Sequence, residues 1–219
     1  MKFDAQTLLW IAMLLPSITF HEVMHGWAAY KLGDPTAKNA GRLSLNPLKH
    51  IDPFGTVLLP LLLWAGGGPI FGYAKPVPVN PRYFKDVRKG DLITGIAGPA
   101  ANLALAFLGA ALAWGAVFSA ELVGVPVARG MFMVGDALVT TNLVLMFFNL
   151  LPIPPLDGSS IIPLFLPDRA LHTWYNLQQY SFGILLVLLW VVPMLTSFNP
   201  ISAYFGVTVF PLRGMLLPG

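Results

Sequence analysis

The sequence predicts an all-α membrane fold: a polytopic helical bundle of about four full spans, one short re-entrant element, and an extended, β-like, membrane-associated loop. Three observations predict it. The chain of 219 residues is 56% hydrophobic and only 11% charged, whereas a soluble domain is about 25% charged. Its mean hydropathy is +0.69. Its apolar runs approach or exceed the roughly 20 residues needed to cross a bilayer, and Gly–Pro clusters separate them. A single domain, residues 1–219, accounts for the chain. The net charge of +3 gives no reason to expect a nucleic-acid partner. There is no cysteine, so disulfides and thiolate metal ligands are excluded.

Each element follows in order. Residues 6–32 form the first span. The start, Met1-Lys2 and an apolar run, resembles a signal peptide, but the run continues without a small-x-small cleavage site, so a retained helix is expected. Gly33-Asp34-Pro35-Thr36 stops it. Residues 36–50 are polar and basic, and the alternation in Arg42-Leu43-Ser44-Leu45 suggests a short strand. Residues 54–65 are apolar but too short for a full span, so a short, tilted or re-entrant piece is expected. Gly66-Gly67-Gly68-Pro69 breaks it. Prolines at 69, 76 and 78 forbid a helix or central strand over 69–79, which reads as an extended edge-type hairpin or loop. Residues 81–91 are charged. Residues 92–118 and 131–151 are the second and third spans, and 178–197 is the last. The tail, 198–219, alternates apolar, Gly and Pro residues and has no clear assignment beyond the membrane interface.

Nine of the thirteen Lys and Arg residues lie in two segments, four in 31–50 and five in 75–89. The positive-inside rule puts both on the cytoplasmic side. Residues 51–74 must then cross an even number of times, which favours re-entry of 54–66 over a short true span. The same parity brings three places together at the cytoplasmic leaflet: the end of span one, the start of span two, and the stretch after span three.

The end of span one carries His21-Glu22-Val23-Met24-His25. On a helix, i and i+4 share one face about 5–6 Å apart. Two imidazoles can then hold one Zn²⁺ while Glu22, beside them, takes a proton from the attacking water. Ionisable groups at membrane depth cost a few kcal/mol each and mark function. The alternative is a chance match with histidines near a helix end. A catalytic zinc takes a third protein ligand. His50 and His172 are the other histidines, and Glu121 the other glutamate. Glu121 lies in the opposite loop. Asp157 follows the proline-broken stretch Pro152-Ile153-Pro154-Pro155, whose unpaired backbone is tolerated only beside a cavity or within protein. Asp157 is the leading candidate; Asp157-Gly158 could also be a plain turn.

Taken together these residues resemble the site-2 protease family of intramembrane zinc metalloproteases. His21–His25 is similar to its zinc motif. Asn149-Leu150-Leu151-Pro152-Ile153-Pro154-Pro155-Leu156-Asp157-Gly158 is similar to its second motif, N-x-x-P-x-P-x-x-D-G, whose Asp is the third ligand. Gly95-Ile96-Ala97-Gly98-Pro99-Ala100-Ala101-Asn102 resembles the G-x-x-G-P-x-x-N stretch between them. The resemblance covers roughly residues 15–158 and implies a minimal member without PDZ or CBS domains, with a catalytic core of about 6–158 and a C-terminal span and tail over 159–219. It implies one catalytic Zn²⁺ on His21, His25 and Asp157, with Glu22 as general base. The partners implied are the lipid bilayer and a transmembrane helix of a membrane-protein substrate, cut within or near its span. Asn149 and Asn102 are candidate substrate or oxyanion donors, or helix–helix hydrogen-bonding groups. Residues 69–79 are the candidate for pairing with substrate as an added strand. The location implied is a prokaryotic cell membrane, multi-pass, with the site toward the cytoplasm.

Two other classes remain in view. A prenyl-protein type membrane metallopeptidase would use Glu as third ligand, and Glu121 is misplaced for that. A non-proteolytic metal-binding or transport protein would spread polar residues over several spans and often show paired halves. Here the ionisable groups concentrate at one place and no repeat is visible.

Overall fold

The computed structural model describes residues 5–65, 72–178 and 180–219. Among these the α-helices run α1 (Ala5–Lys31), α2 (Thr36–Asn39), α3 (Leu59–Ala65), α4 (Val87–Val123), α5 (Val125–Asn149), α6 (Asp168–Gln178), α7 (Ser181–Leu186), α8 (Val192–Thr196), α9 (Pro200–Val207) and α10 (Val209–Leu216). A 3₁₀ segment, Asp157–Leu164, follows α5. No strand occurs among the described residues.

Four full spans were expected; the fold differs. Two helices, α4 and α5, are long and apolar enough to cross a membrane among the described residues, and a third qualifies only if α6 and the helix Ser181–Thr196 are taken as one. Those two are bent by 65°. The expected last span is therefore not one straight rod. Its middle opens into a π turn, Val187–Val191, just before Pro193. The same happens at Pro53–Leu58, just before Pro60. A proline gives no N–H to the carbonyl four residues back, and the preceding turn widens to accommodate it.

The centre of the molecule is the α4–α5 pair. α4 turns a row of small buried residues, Ala106, Ala110, Ala113 and Ala116, toward α5. Small residues let helix backbones approach closely where lipid supplies no hydrophobic drive. At Gly109 the backbones touch: a Cβ there would lie 2.8 Å from the Gly135 carbonyl oxygen. Val139, Leu143 and Met146 of α5 complete the core, together with Val209 and Leu217. The tail thus packs back on the bundle. Arg213 of α10 donates to Asp136 of α5 at 2.6 Å and to Thr140 at 3.0 Å.

The region between α1 and α4 goes out and returns. Thr56 and Gly55 begin the apolar helix, and at Tyr73 the chain is back beside them: Tyr73 N–H donates to Gly55 O at 3.0 Å, and the Thr56 hydroxyl donates to Tyr73 O at 2.8 Å. Residues 66–71, including part of the expected 69–79 element, lie outside the described residues. Residues 72–80 form no strand. Pro76 and Pro78 supply no N–H for a ladder, and three of the remaining donors are spent elsewhere in the chain. Lys75 N–H bonds His50 O at 2.9 Å, Val77 N–H bonds Glu22 Oε2 at 2.9 Å, and Asn80 N–H bonds Asp34 Oδ2 at 2.7 Å. Residues 42–45 are likewise bend and coil rather than a strand. Arg42 turns inward instead, its guanidinium donating to Lys75 O.

Asp34 anchors the far end of this stitching. It is fully buried and also accepts from Thr36 N–H at 2.9 Å and from the Thr36 hydroxyl. Burial alone would raise its carboxyl, but the bonds from Asn80 and Thr36 outweigh it and hold it below the usual carboxylate value. A depressed folded pKa means stability that is present above the unfolded value, about 3.9, and lost as pH falls through the folded one. Asp34→Ala should therefore cost about 1.5–3 kcal/mol near neutral pH. The gap to wild type should close in strongly acidic buffer. Thermal unfolding of both proteins across pH 2–7 checks this; a gap that persists unchanged in strong acid would refute the account.

Candidate metal centre

His21 and His25 lie one turn apart on α1, as their spacing requires, and both are buried. Their rings meet edge to face with centroids 4.5 Å apart. Asp157 enters from the first residue of the 3₁₀ segment after α5. Its Oδ2 lies 3.0 Å from His21 Nε2 and 3.3 Å from His25 Nε2, and the two Nε2 atoms are 2.9 Å apart. These three side chains are the one group of three or more His, Cys, Asp or Glu among the described residues whose ligand atoms converge, all within 4.8 Å.

The outer side of each ring shows what the inner nitrogens are. His25 Nδ1 is 2.6 Å from the Thr94 carbonyl of α4, which can only accept, so Nδ1 carries the proton. His21 Nδ1 is 2.6 Å from Asn102 Oδ1 of α4. In the neutral rings both Nε2 atoms are then bare lone pairs. Asp157 Oδ2 is buried with no donor. Three acceptors meeting without a proton between them repel one another, and a cation at their centre resolves it. Tetrahedral zinc at ~2.0–2.1 Å from its ligands sets donors about 3.3 Å apart, close to the separations here. The residues fit a zinc ion.

Gly98 makes this approach possible. A Cβ on it would lie 2.3 Å from His25 Nε2 and 2.6 Å from His21 Cε1. Only glycine lets α4 pass this close beneath both rings.

Glu22, the remaining residue of the motif, lines a cavity of about 610 Å³ with His21, His25 and Asp157. Its Oε2 is held by Val77 N–H. Asn149 also lines the cavity and commits one amide N–H to Leu145 O at 3.0 Å. Ile18, Leu145, Phe148 and Leu156 give the walls an apolar character, with Phe182 and Tyr73 in edge-to-face contact at 6.1 Å.

Other sequence candidates fall elsewhere. Asn102 is wholly buried behind His21, its amide shared between His21 and Asn142, and it does not line the cavity. His50 holds Ser44 O at 2.8 Å and faces Arg42. Glu121 lies on α4 23 residues beyond Gly98, about 35 Å along the axis. The His172 side chain lies outside the described side chains. Thr94 was missed by sequence reasoning: the residue lines the cavity, and its hydroxyl is buried without a partner. The available signal was its position one helical turn before Gly98.

No family model matches the chain, and no solved structure does. Curated relatives do. The Bacillus subtilis (strain 168) protein named "Putative zinc metalloprotease YwhC" is 43% identical over 189 residues, covering 84% of this chain and 80% of that protein. The Mycolicibacterium smegmatis protein named "Putative zinc metalloprotease Rip2" is 35% identical over 189 residues, 83% of this chain and 66% of its own length. The Mycobacterium tuberculosis (strain H37Rv) protein of the same name is 30% identical over 207 residues, 94% of this chain and 74% of its own length. The separations among His21, His25 and Asp157 and these relatives agree: the chain belongs to the family of zinc metalloproteases that contains YwhC and Rip2.

Proposed function

We propose that this chain is an intramembrane endopeptidase of the site-2 protease type, cutting peptide bonds within or near a transmembrane segment of a membrane-protein substrate. The observation that carries the reading is that Glu22 lines the same apolar cavity as His21, His25 and Asp157, whose ligand atoms converge, with walls from α1, α5 and the 72–79 segment. His21, His25 and Asp157 would hold the zinc. When bound, the zinc supplies Lewis acidity, polarising the scissile carbonyl and lowering the pKa of water.

The chain's own residues do the rest. Glu22 accepts the proton of the attacking water as the oxygen adds to the carbonyl carbon, and returns it to the amine as the C–N bond breaks. Val77 N–H keeps the Glu22 carboxylate oriented. Asn149 has an amide N–H left to donate to the developing oxyanion, and Thr94 lines the same cavity. The apolar walls exclude bulk water.

The location proposed is a prokaryotic cell membrane with the site toward the cytoplasm, which the basic segments 31–50 and 75–89 support.

The test is cleavage of a model transmembrane substrate by purified protein in detergent. A chelator should abolish cutting, added zinc should restore it, and mass spectrometry should place the cut inside or at the edge of the apolar segment. Cutting that is indifferent to the chelator, or confined to the soluble flanks, would end this reading.

A further inference from the structure

His21 does not choose its own tautomer. Behind it runs a chain of side chains through three helices, all of them buried: Asn102 on α4, then Asn142 and Ser17 on α5 and α1. Asn142 Nδ2 lies 2.9 Å from the Leu138 carbonyl and 3.0 Å from Ser17 Oγ. Asn142 Oδ1 lies 2.8 Å from Asn102 Nδ2. Asn102 Oδ1 lies 2.6 Å from His21 Nδ1.

The polarity of this chain is forced from its far end. A backbone carbonyl only accepts. The Leu138 carbonyl therefore requires the NH₂ end of Asn142, since a flipped amide would set oxygen against oxygen. Asn142 must then present its oxygen to Asn102. Asn102 must answer with its NH₂ and turn its own oxygen to His21. His21 must donate from Nδ1, which leaves Nε2 as a lone pair facing Asp157 and His25. We infer that Asn142 is a positioning residue of the metal centre: through Asn102 it fixes His21 as a ligand. Asn102 and Asn142 are fully buried, so the alternative tautomer would strand at least one unpaired polar group. The inference rests on the zinc reading of the site.

The experiment measures zinc affinity of the purified full-length chain by competition with a chelator of known strength. It also records the thermal midpoint of the metal-free protein. Outer partners of metal-ligating histidines typically matter by 10–100-fold in affinity. Asn142→Leu, similar in size but without an acceptor for Asn102, should weaken zinc binding by that much. Asn142→Asp, held neutral by burial, keeps an oxygen toward Asn102 and puts its O–H where the amide N–H met the Leu138 carbonyl, and should stay within a few-fold of wild type. Val139→Ala, on the same helix and in the core, should lower the thermal midpoint and leave zinc affinity alone. If Asn142→Leu proves too unstable to purify, Asn142→Ala removes the same acceptor and is read in the same way. Unchanged affinity in the apolar variants, or an equal loss in Val139→Ala, overturns the positioning role. A wild-type chain that takes up no zinc overturns the metal reading itself, and the inference with it.

Discussion

Glu22→Gln should keep its zinc and lose peptide cleavage by about 10²–10⁴-fold. The substitution changes little else. Glutamine has the same length, and its amide oxygen can still accept from Val77 N–H, the bond that orients the carboxylate at 2.9 Å. The two imidazoles and Asp157 are untouched. What disappears is the ability to accept a proton from water and return it to the amine. A transporter or metal store built on the same ligands would bind metal as before and suffer no such loss. Cleavage rates on one transmembrane substrate, with bound zinc measured in both proteins, decide between these. A variant that cuts at the wild-type rate would remove Glu22 from the mechanism.

Gly98→Ala should abolish zinc binding while leaving the metal-free fold intact. The added carbon would sit 2.3 Å from His25 Nε2, a ligand atom, and 2.6 Å from the nearest carbon of each ring. Neither ring can retreat without leaving its anchor, the Thr94 carbonyl for His25 and the Asn102 amide for His21. In the helix itself the change is favourable by about 0.5–1 kcal/mol, since alanine loses less backbone freedom than glycine. Giving up a buried anchor costs about 1–3 kcal/mol, only partly offset by that gain, so loss of metal with a modest fall in the metal-free thermal midpoint is the expected pair of results. Zinc affinity within a few-fold of wild type would show that the rings have more freedom than their contacts indicate.

The helical part of the fold was legible where periodicity and punctuation agreed. The predicted spans at 92–118 and 131–151 are the apolar parts of α4 and α5, bounded by Gly124 and by the Pro152–Pro155 stretch. The convergence of His21, His25 and Asp157 was legible because i, i+4 spacing is a helix property and Asp157 sits where the backbone must leave the helix. The extended hairpin or loop expected over 69–79 forms no strand in its described part, 72–79. The prolines exclude a ladder, and no spacing rule reveals that Tyr73, Lys75 and Val77 spend their N–H groups on residues 55, 50 and 22. Asn102 shows a second limit. Its polarity in an apolar helix marked it as significant, but whether it faces the cavity or the back of His21 depends on the rotation of α4, which Gly98 and its contacts set. Asn142 and Ser17 passed unnoticed for the same reason. The bend before Ser181 and the packing of the tail through Arg213 depend on contacts far away in the chain.

The Arg213–Asp136 pair has a consequence for how the protein is made. The partners are 77 residues apart. At about 5–20 residues per second of synthesis, α5 exists for roughly 4–15 s before Arg213 does. During that interval Asp136, near the middle of a helix apolar and long enough to cross a membrane, has the Thr140 hydroxyl but not yet its arginine, and insertion scales charge a central aspartate about 3 kcal/mol. Helix α10 thus closes the molecule in time as well as in space. A ribosome stalled before residue 213 would leave α5 weakly seated, and surveillance proteases would see an unfinished chain at the helix that follows the metal centre's last histidine by a hundred residues on the same polypeptide.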